Sequence, residues 1–259
     1  MSTHTAAVLE TLGEELKLKS HSIPEPVHGS AVVKVLAAQI TPGAKKMLAG
    51  KLPIPLRTPV TPSSAAIARI HSVGPDATSL KPGKLVFVDL WVQSRDDPDA
   101  SILQGYMGGE DTIEANWDHG TYAEYARVPL EKIWALDEEH LIGKLGYSLA
   151  DLAFLGSICI PLAGLLDIDT RPGDTVIVAP ATGFFGGAAA QTAIALGARV
   201  IACGRNEEVL RRMADVFKSS GRFEYVKMSG EIEKDTAAIQ SKCISSKGAD
   251  RYVDFSPPQ

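Results

Sequence analysis

Cysteine is scarce in this sequence. The 259 residues hold three, Cys159, Cys203 and Cys243, and no two stand in CxxC spacing. An odd, scattered set of this kind excludes a disulfide framework and a cysteine-rich zinc site. No cysteine occurs between Met1 and Ile158. Positive charge is thin as well. The chain sets 26 Lys and Arg against 31 Asp and Glu, a net charge of −5, with no Lys/Arg block. Neither nucleic acid nor a membrane surface is therefore expected as a partner. The N-terminus, Met1 to Thr11, has no basic start followed by an apolar run, so no signal peptide is expected. Long apolar runs are few. The longest, Leu149 to Ile168, contains Asp151, Ser157, Pro161 and Asp167 and reads as a buried helix with a break, not a membrane span. A cytoplasmic location is the simplest expectation.

What is present has two rhythms. Up to about residue 130 the chain reads as short strands: Ala6 to Leu12, Ala31 to Gln39, Ala65 to Val73, Leu85 to Val92 and Thr121 to Val128. Turn clusters such as Thr41-Pro42-Gly43, Gly74-Pro75-Asp76 and Pro82-Gly83 punctuate them, a pattern that suggests a small barrel or sandwich. Leu141 to Leu166 is helical in pattern, with Pro161 interrupting it. From Thr175 onward strands alternate with helices. Strands at Thr175–Ala179, Arg199–Cys203, Phe223–Met228 and Arg251–Phe255 enclose helices at Phe184–Leu196, Asn206–Lys218 and Glu233–Ser245. Such alternation implies right-handed crossovers and a parallel sheet.

The stretch Ala181-Thr182-Gly183-Phe184-Phe185-Gly186-Gly187 follows a buried strand and opens a helix. There a glycine-rich turn lets a pyrophosphate approach backbone N–H groups at the helix N-terminus. The pattern is AxGxxG. Gly183 would permit the approach, and Gly186 with Gly187 would let the helix pack on its strand. The plainer alternative is a glycine-rich helix packed on a sheet without ligand. The tip of the second strand, Cys203-Gly204-Arg205-Asn206, has no acid to accept from a ribose 2′-OH. A guanidinium there suits a 2′-phosphate, which points to NADP(H). Arg205 could equally be a solvated loop residue, with Asn206 capping the next helix and Glu207 and Glu208 in its first turn. The two readings are compatible. The six histidines show no metal-ligand spacing and read individually as surface or core residues. Trp91, Tyr106 and Trp117 could line an apolar cleft or simply pack.

Six phrases in order resemble the medium-chain dehydrogenase/reductase superfamily: Ser72-Val73-Gly74-Pro75-Asp76, Leu80-Lys81-Pro82-Gly83-Lys84-Leu85-Val86, Gly120-Thr121-Tyr122-Ala123-Glu124-Tyr125, Arg171-Pro172-Gly173-Asp174-Thr175-Val176, Ala181-Thr182-Gly183 and Gly248-Ala249-Asp250. The resemblance implies an α/β protein with a GroES-like β-rich substrate domain at 1–140. A dinucleotide-binding Rossmann-type parallel sheet with flanking helices would follow at 141–259. It also implies hydride transfer between a nicotinamide and a small-molecule substrate. Where zinc-dependent relatives place their ligands, this chain has Thr41, Pro62-Ser63-Ser64 and the Leu155-Gly156 region, so no metal is expected. Thr41, Ser63 and Ser64 inherit those positions as candidate catalytic hydroxyls that could orient a carbonyl oxygen, or they merely fill space. Four strands where six are usual imply a Rossmann unit that is incomplete, a chain truncated at its C-terminus and a missing dimer strand, although a homodimer remains open. The expected function is an NADPH-dependent, zinc-independent reductase of a carbonyl, an activated alkene or a quinone. The alternative is a truncated family member that binds nucleotide or a partner without turnover.

Overall fold

The computed structural model describes residues 2–53, 56–63, 65–89, 91–97, 99–106, 117, 119–245 and 247–256. Two compact units are present, Met1–Gly156 and Ser157–Gln259. The expected boundary at 140 lies earlier. Residues 141–156 stay with the first unit because Leu141, Ile142, Leu149, Leu152, Ala153 and Leu155 pack on Ala65, Ile67, Leu85 and Phe87.

The first unit contains β1 (Thr3–Val8), β2 (Lys17–Ser22), β3 (Ser30–Ala38), α1 (Ala44–Leu48), β4 (Ala66–Val73), β5 (Leu85–Val88), β6 (Trp91–Gln93), β7 (Ser101–Leu103), β8 (Tyr125–Pro129), β9 (Ile133–Ala135) and α2 (Leu149–Ala153). Its main sheet is antiparallel in the order β8-β3-β4-β5-β9. Successive side chains on a strand point to opposite faces. Val86 and Val88 thus join Val33, Ala68, Ile70 and Val128 in one core, while Leu85 and Phe87 join Ile67 and Leu152 in another. Both faces of β5 are covered, which is why its four residues are all apolar and all buried.

Strand β2 was not expected. It reads KLKSHS with all six residues exposed, so it has no apolar face for a period-2 pattern to reveal. Its order comes from backbone pairing with β1, from Thr3 opposite Ser22 to Val8 opposite Lys17. Gly74 is required by packing: a Cβ there would lie 2.2 Å from the Val27 carbonyl oxygen.

After α3 (Leu155–Asp167), whose first two residues fall in the first unit, the second unit runs β10 (Thr175–Ala179), α4 (Phe184–Ala195), β11 (Arg199–Gly204), α5 (Glu207–Phe217), β12 (Phe223–Lys227), α6 (Ile232–Lys242) and β13 (Arg251–Asp254). The four strands are parallel in the order β12-β11-β10-β13. Val176, Val178, Val200 and Ala202 pack against Ala189, Ala190, Ala193 and Leu210 on one face. Ile177, Ile201, Cys203 and Val226 meet Ala238 and Ile239 of α6 on the other. The expected combination of a β-rich unit and a parallel α/β unit is therefore present.

The apolar run beginning at Leu149 differs from expectation in two ways. Its break falls at Phe154, whereas Pro161 sits inside a continuous α3. A capping box explains the separate α2, since Ser148 Oγ accepts from Asp151 N and the Asp151 carboxylate accepts from Ser148 N. The run is also not a buried helix. Within α3 only Ser157, Pro161 and Leu165 are buried, one narrow stripe at four-residue spacing, and Ile160 and Leu166 are exposed. By length and composition alone, Leu149–Asp167 would suffice to cross a membrane.

Candidate functional site

The order of the parallel sheet reverses at β10. The chain steps from β10 to β11 to β12, then returns to the far side of β10 for β13. In an open sheet a crevice forms beyond the carboxyl ends of the strands at that point. The loop Pro180–Gly183 lies there and is pinned on both sides. Ala181 N donates to Cys203 O at 2.7 Å, and Phe255 N donates to Ala179 O at 2.8 Å.

The glycines of this loop have different reasons to exist. A Cβ on Gly186 would lie 2.0 Å from the Pro180 carbonyl oxygen, so the seat of α4 against the turn requires glycine there. A Cβ on Gly204 would lie 2.7 Å from the Thr182 side chain, so the β11 tip and the loop touch through this residue. A Cβ on Gly183 would meet nothing nearer than 3.8 Å, and its φ of −85° suits any residue. Packing therefore does not explain Gly183, whereas the approach of a ligand would. Gly187 corrects the expectation that it shares in tight packing, since a Cβ there would make only ordinary contact at 3.8 Å.

No side chain caps α4, and no acid stands in its first turn. Helix α5 shows the contrast: Asn206 Oδ1 accepts from Val209 N at 3.2 Å, with Glu207 and Glu208 in the first turn. The N-terminus of α4 thus presents backbone N–H groups and the positive end of a helix dipole beside the uncrowded Gly183. Phe184 and Phe185 form an edge-to-face pair at 5.3 Å just inside the helix. Arg205 is exposed at the β11 tip and forms no ion pair with any described residue. Its neighbour Glu207 is held by Lys227 at 3.0 Å and Arg211 at 3.7 Å, so it leaves Arg205 unneutralised. Thr182, Gly183, Arg205 and the α4 N-terminus stand together at this crevice, where a helix dipole and an exposed cation favour anionic groups.

In the first unit, Gln39 N donates to Ala65 O at 3.2 Å. Thr41 and Ser63 each lie two residues beyond that pair, at one end of the sheet. Thr41 is half-buried in the turn before α1. Ser63 is fully buried, with its hydroxyl 3.3 Å from Thr121 N and 3.4 Å from Thr121 Oγ1. Glycines close over it, since a Cβ on Gly120 would lie 2.2 Å from Ser63 Cβ. Of the two readings open for Ser63, this burial favours the space-filling one, with the hydroxyl a core group. Ser64 lies outside the described residues. Ser63→Ala is expected to lower stability by about 0.5–1.5 kcal/mol, the usual worth of a hydrogen bond. Urea unfolding would show that loss with cofactor binding unchanged, and weaker cofactor binding at unchanged stability would contradict it.

Of the two readings open for Tyr106, packing is the one realised: it lies with Leu9, Leu56 and Val60. Burial pushes its phenol far above the ordinary tyrosine range, and it shares a hydrogen bond with Tyr122, so it stays neutral. Tyr122 Oη donates in turn to Gln39 O at 3.0 Å, which ties this segment to the end of β3. Sequence reading missed this pair because neither tyrosine stands in a chemically suggestive spacing.

Residues 27–138 match the alcohol dehydrogenase GroES-like domain family. The human mitochondrial enoyl-[acyl-carrier-protein] reductase is 30% identical over 211 residues, covering 80% of this chain and 48% of that protein. Over residues 27–138 the chain belongs to the alcohol dehydrogenase GroES-like domain family. Among solved structures, an NAD-dependent alcohol dehydrogenase superposes with a TM-score of 0.79 at 23% identity, covering 97% of this chain and 71% of that one. A putative zinc-binding dehydrogenase from Sinorhizobium meliloti 1021, bound to NADP, gives 0.77 at 20% identity over 98% of this chain and 70% of the other. These two likenesses concern the fold. The chain spans about half the length of the curated relatives it matches.

Proposed function

We propose that this chain is a member of the medium-chain dehydrogenase/reductase superfamily and an NADP(H)-dependent, zinc-independent oxidoreductase that delivers hydride to a carbonyl, an activated alkene or a quinone. The observation that carries the reading is the crevice beyond β10, where an uncrowded Gly183, an uncapped α4 and an unneutralised Arg205 stand together. When bound there, the nicotinamide supplies the hydride. The chain's own residues bind and orient. N–H groups at the α4 N-terminus hold the pyrophosphate, and Arg205 pairs with the 2′-phosphate. The name of the human relative, an enoyl reductase, supports an activated alkene as one substrate class. Thr41 carries a half-buried hydroxyl able to donate to a substrate oxygen, and Ser63 is withdrawn into the core. Hydroxyls of this kind do not make a zinc site, which needs three strong ligands.

The test is cofactor discrimination. Loss of a bidentate phosphate contact costs about 1.5–3 kcal/mol, tenfold or more in affinity. Arg205→Ala is expected to weaken NADPH by that factor and to leave NADH unchanged, read by fluorescence titration with each. Equal affinities in the parent protein, untouched by the substitution, would refute the NADP(H) assignment.

A further inference from the structure

The tip of β11 gathers more charge than Arg205 alone. Strands β11 and β12 stay in parallel register to their carboxyl ends, where Lys227 is the partner of Gly204, and Met228 N donates to Gly204 O at 2.8 Å. Gly204 is the residue through which β11 touches Thr182 of the loop, so Lys227 stands one strand away from that contact. Its ammonium reaches back to the first turn of α5 and pairs with Glu207 at 3.0 Å. Arg211, one helical turn further on, meets the other carboxylate oxygen at 3.7 Å. Lys227, and Arg211 more weakly, hold the Glu207 carboxyl below the usual carboxylate range, so it is ionised at neutral pH.

Glu207 is the acid closest in sequence to the end of β11. From that region an acid accepts from the ribose 2′-OH in NAD sites, and a free carboxylate there would repel a 2′-phosphate. Here the carboxylate is occupied twice over. Resting on the cofactor reading above, we infer that Lys227 sets the cofactor preference: it masks Glu207 against a ribose 2′-OH and turns to a 2′-phosphate beside Arg205. The two ion pairs differ in a way that allows this exchange. Glu207 and Arg211 are an i,i+4 pair on one helix face, which keeps the carboxylate along α5 when Lys227 departs. The Lys227 side chain is 58% exposed, and an exposed pair between a flexible lysine and a carboxylate contributes little. A phosphate offers the ammonium more acceptor oxygens and more charge, so the exchange favours the phosphate.

Removing the lysine should therefore move both cofactors, in opposite directions. Fluorescence titration of the whole chain with NADPH and NADH, and calorimetry with adenosine 2′,5′-bisphosphate and 5′-AMP, read this without turnover. Lys227→Gln should weaken NADPH and the bisphosphate by about tenfold or more, the worth of one charged hydrogen bond, and strengthen NADH and 5′-AMP severalfold. That gain should vanish when Glu207→Gln is added, and Glu207→Gln alone should not weaken NADPH. Both side chains are partly exposed, so urea unfolding should stay close to that of the parent. Lower stability with an unchanged ratio of NADPH to NADH affinity would reduce Lys227 to a strut between β12 and α5 and overturn the inference. Weaker NADPH with no gain for NADH would also overturn it, as would weaker NADPH in Glu207→Gln. A parent that binds both cofactors equally would refute the NADP(H) assignment and this inference with it. A parent preference that survives Lys227→Gln in full would overturn this inference alone.

Discussion

Gly186→Ala is expected to destabilise the protein and to abolish dinucleotide binding, whereas Gly183→Ala should abolish binding while leaving stability nearly intact. Alanine inside a helix is intrinsically better than glycine by up to about 1 kcal/mol. At position 186 that gain is opposed by a Cβ placed 2.0 Å from a backbone carbonyl oxygen, an atom that cannot swing away as a side chain would. Forced overpacking costs about 1–3 kcal/mol, so the clash wins and the loop is pushed off the β10 tip. At position 183 the added methyl has 3.8 Å of clearance, and the loss is limited to the slightly poorer N-cap behaviour of alanine, under about 1 kcal/mol. The same methyl would stand where the pyrophosphate must approach. The comparison separates fold from function: urea unfolding should move for Gly186→Ala alone, and NADPH affinity should fall for both. If Gly183→Ala bound NADPH as tightly as the parent, the crevice beyond β10 would not be the cofactor site.

The parallel half of the fold was legible because each of its signals is local. Thr175–Ala179 is a short run between a Pro-Gly turn and a glycine-rich loop, and the structure places a strand at those residues. The match is close because a strand covered on both faces must be apolar throughout. The first unit was less legible where order comes from partners. Nothing in KLKSHS distinguishes β2 from a loop until β1 lies beside it. Pro161 misled for a related reason: a proline marks a helix break on average, but α3 continues through it, and the break sits at Phe154 after the short capped α2.

Site residues divide along the same line. The expected cap at Asn206 is present, since a cap is a property of four consecutive residues. The fate of Ser63 was not legible, because it depends on Gly120, which lies far along the chain and lacks the side chain that would have kept Ser63 out of the core. The meeting of three histidine rings, at 6.2 Å from His4 to His21 and 6.5 Å from His21 to His119, was invisible for the same reason. His4, His21 and His119 have no spacing to notice, and only the pairing of β1 with β2 and the course of the chain into β8 bring them together.

Replacing Lys132 with Met is expected to raise stability at pH 7 by on the order of 2–4 kcal/mol and to flatten its pH dependence between pH 7 and pH 9. Lys132 lies in the turn between β8 and β9, only 2% exposed, and its Nζ has no hydrogen-bond partner among the described residues. Its backbone is well placed, since Asp89 N donates to its carbonyl at 3.0 Å and so ties the end of β5 to β9. The side chain bears the cost. Burial lowers the ammonium to about 7, and attraction from Asp89 offsets only part of this. An exposed lysine in the unfolded chain titrates near 10.4. Between those values the unfolded chain holds a proton that the folded chain has released, so stability rises with pH, by up to about 1.4 kcal/mol per unit. Above roughly pH 9 a second group offsets the trend. Burial pushes the Cys203 thiol up to about 11, so there the unfolded chain loses a proton that the folded chain keeps. The window from pH 7 to pH 9 therefore belongs to Lys132. Methionine has nearly the same length, no charge to desolvate and a flexible thioether that fills the space. Urea unfolding of both proteins at pH 7, 8 and 9 would check this. The parent should gain about 2–3 kcal/mol across the range and the variant little, with the two converging toward pH 9. Parallel pH profiles, or a variant less stable than the parent at pH 7, would mean that the amine finds a partner or water that the buried turn does not provide.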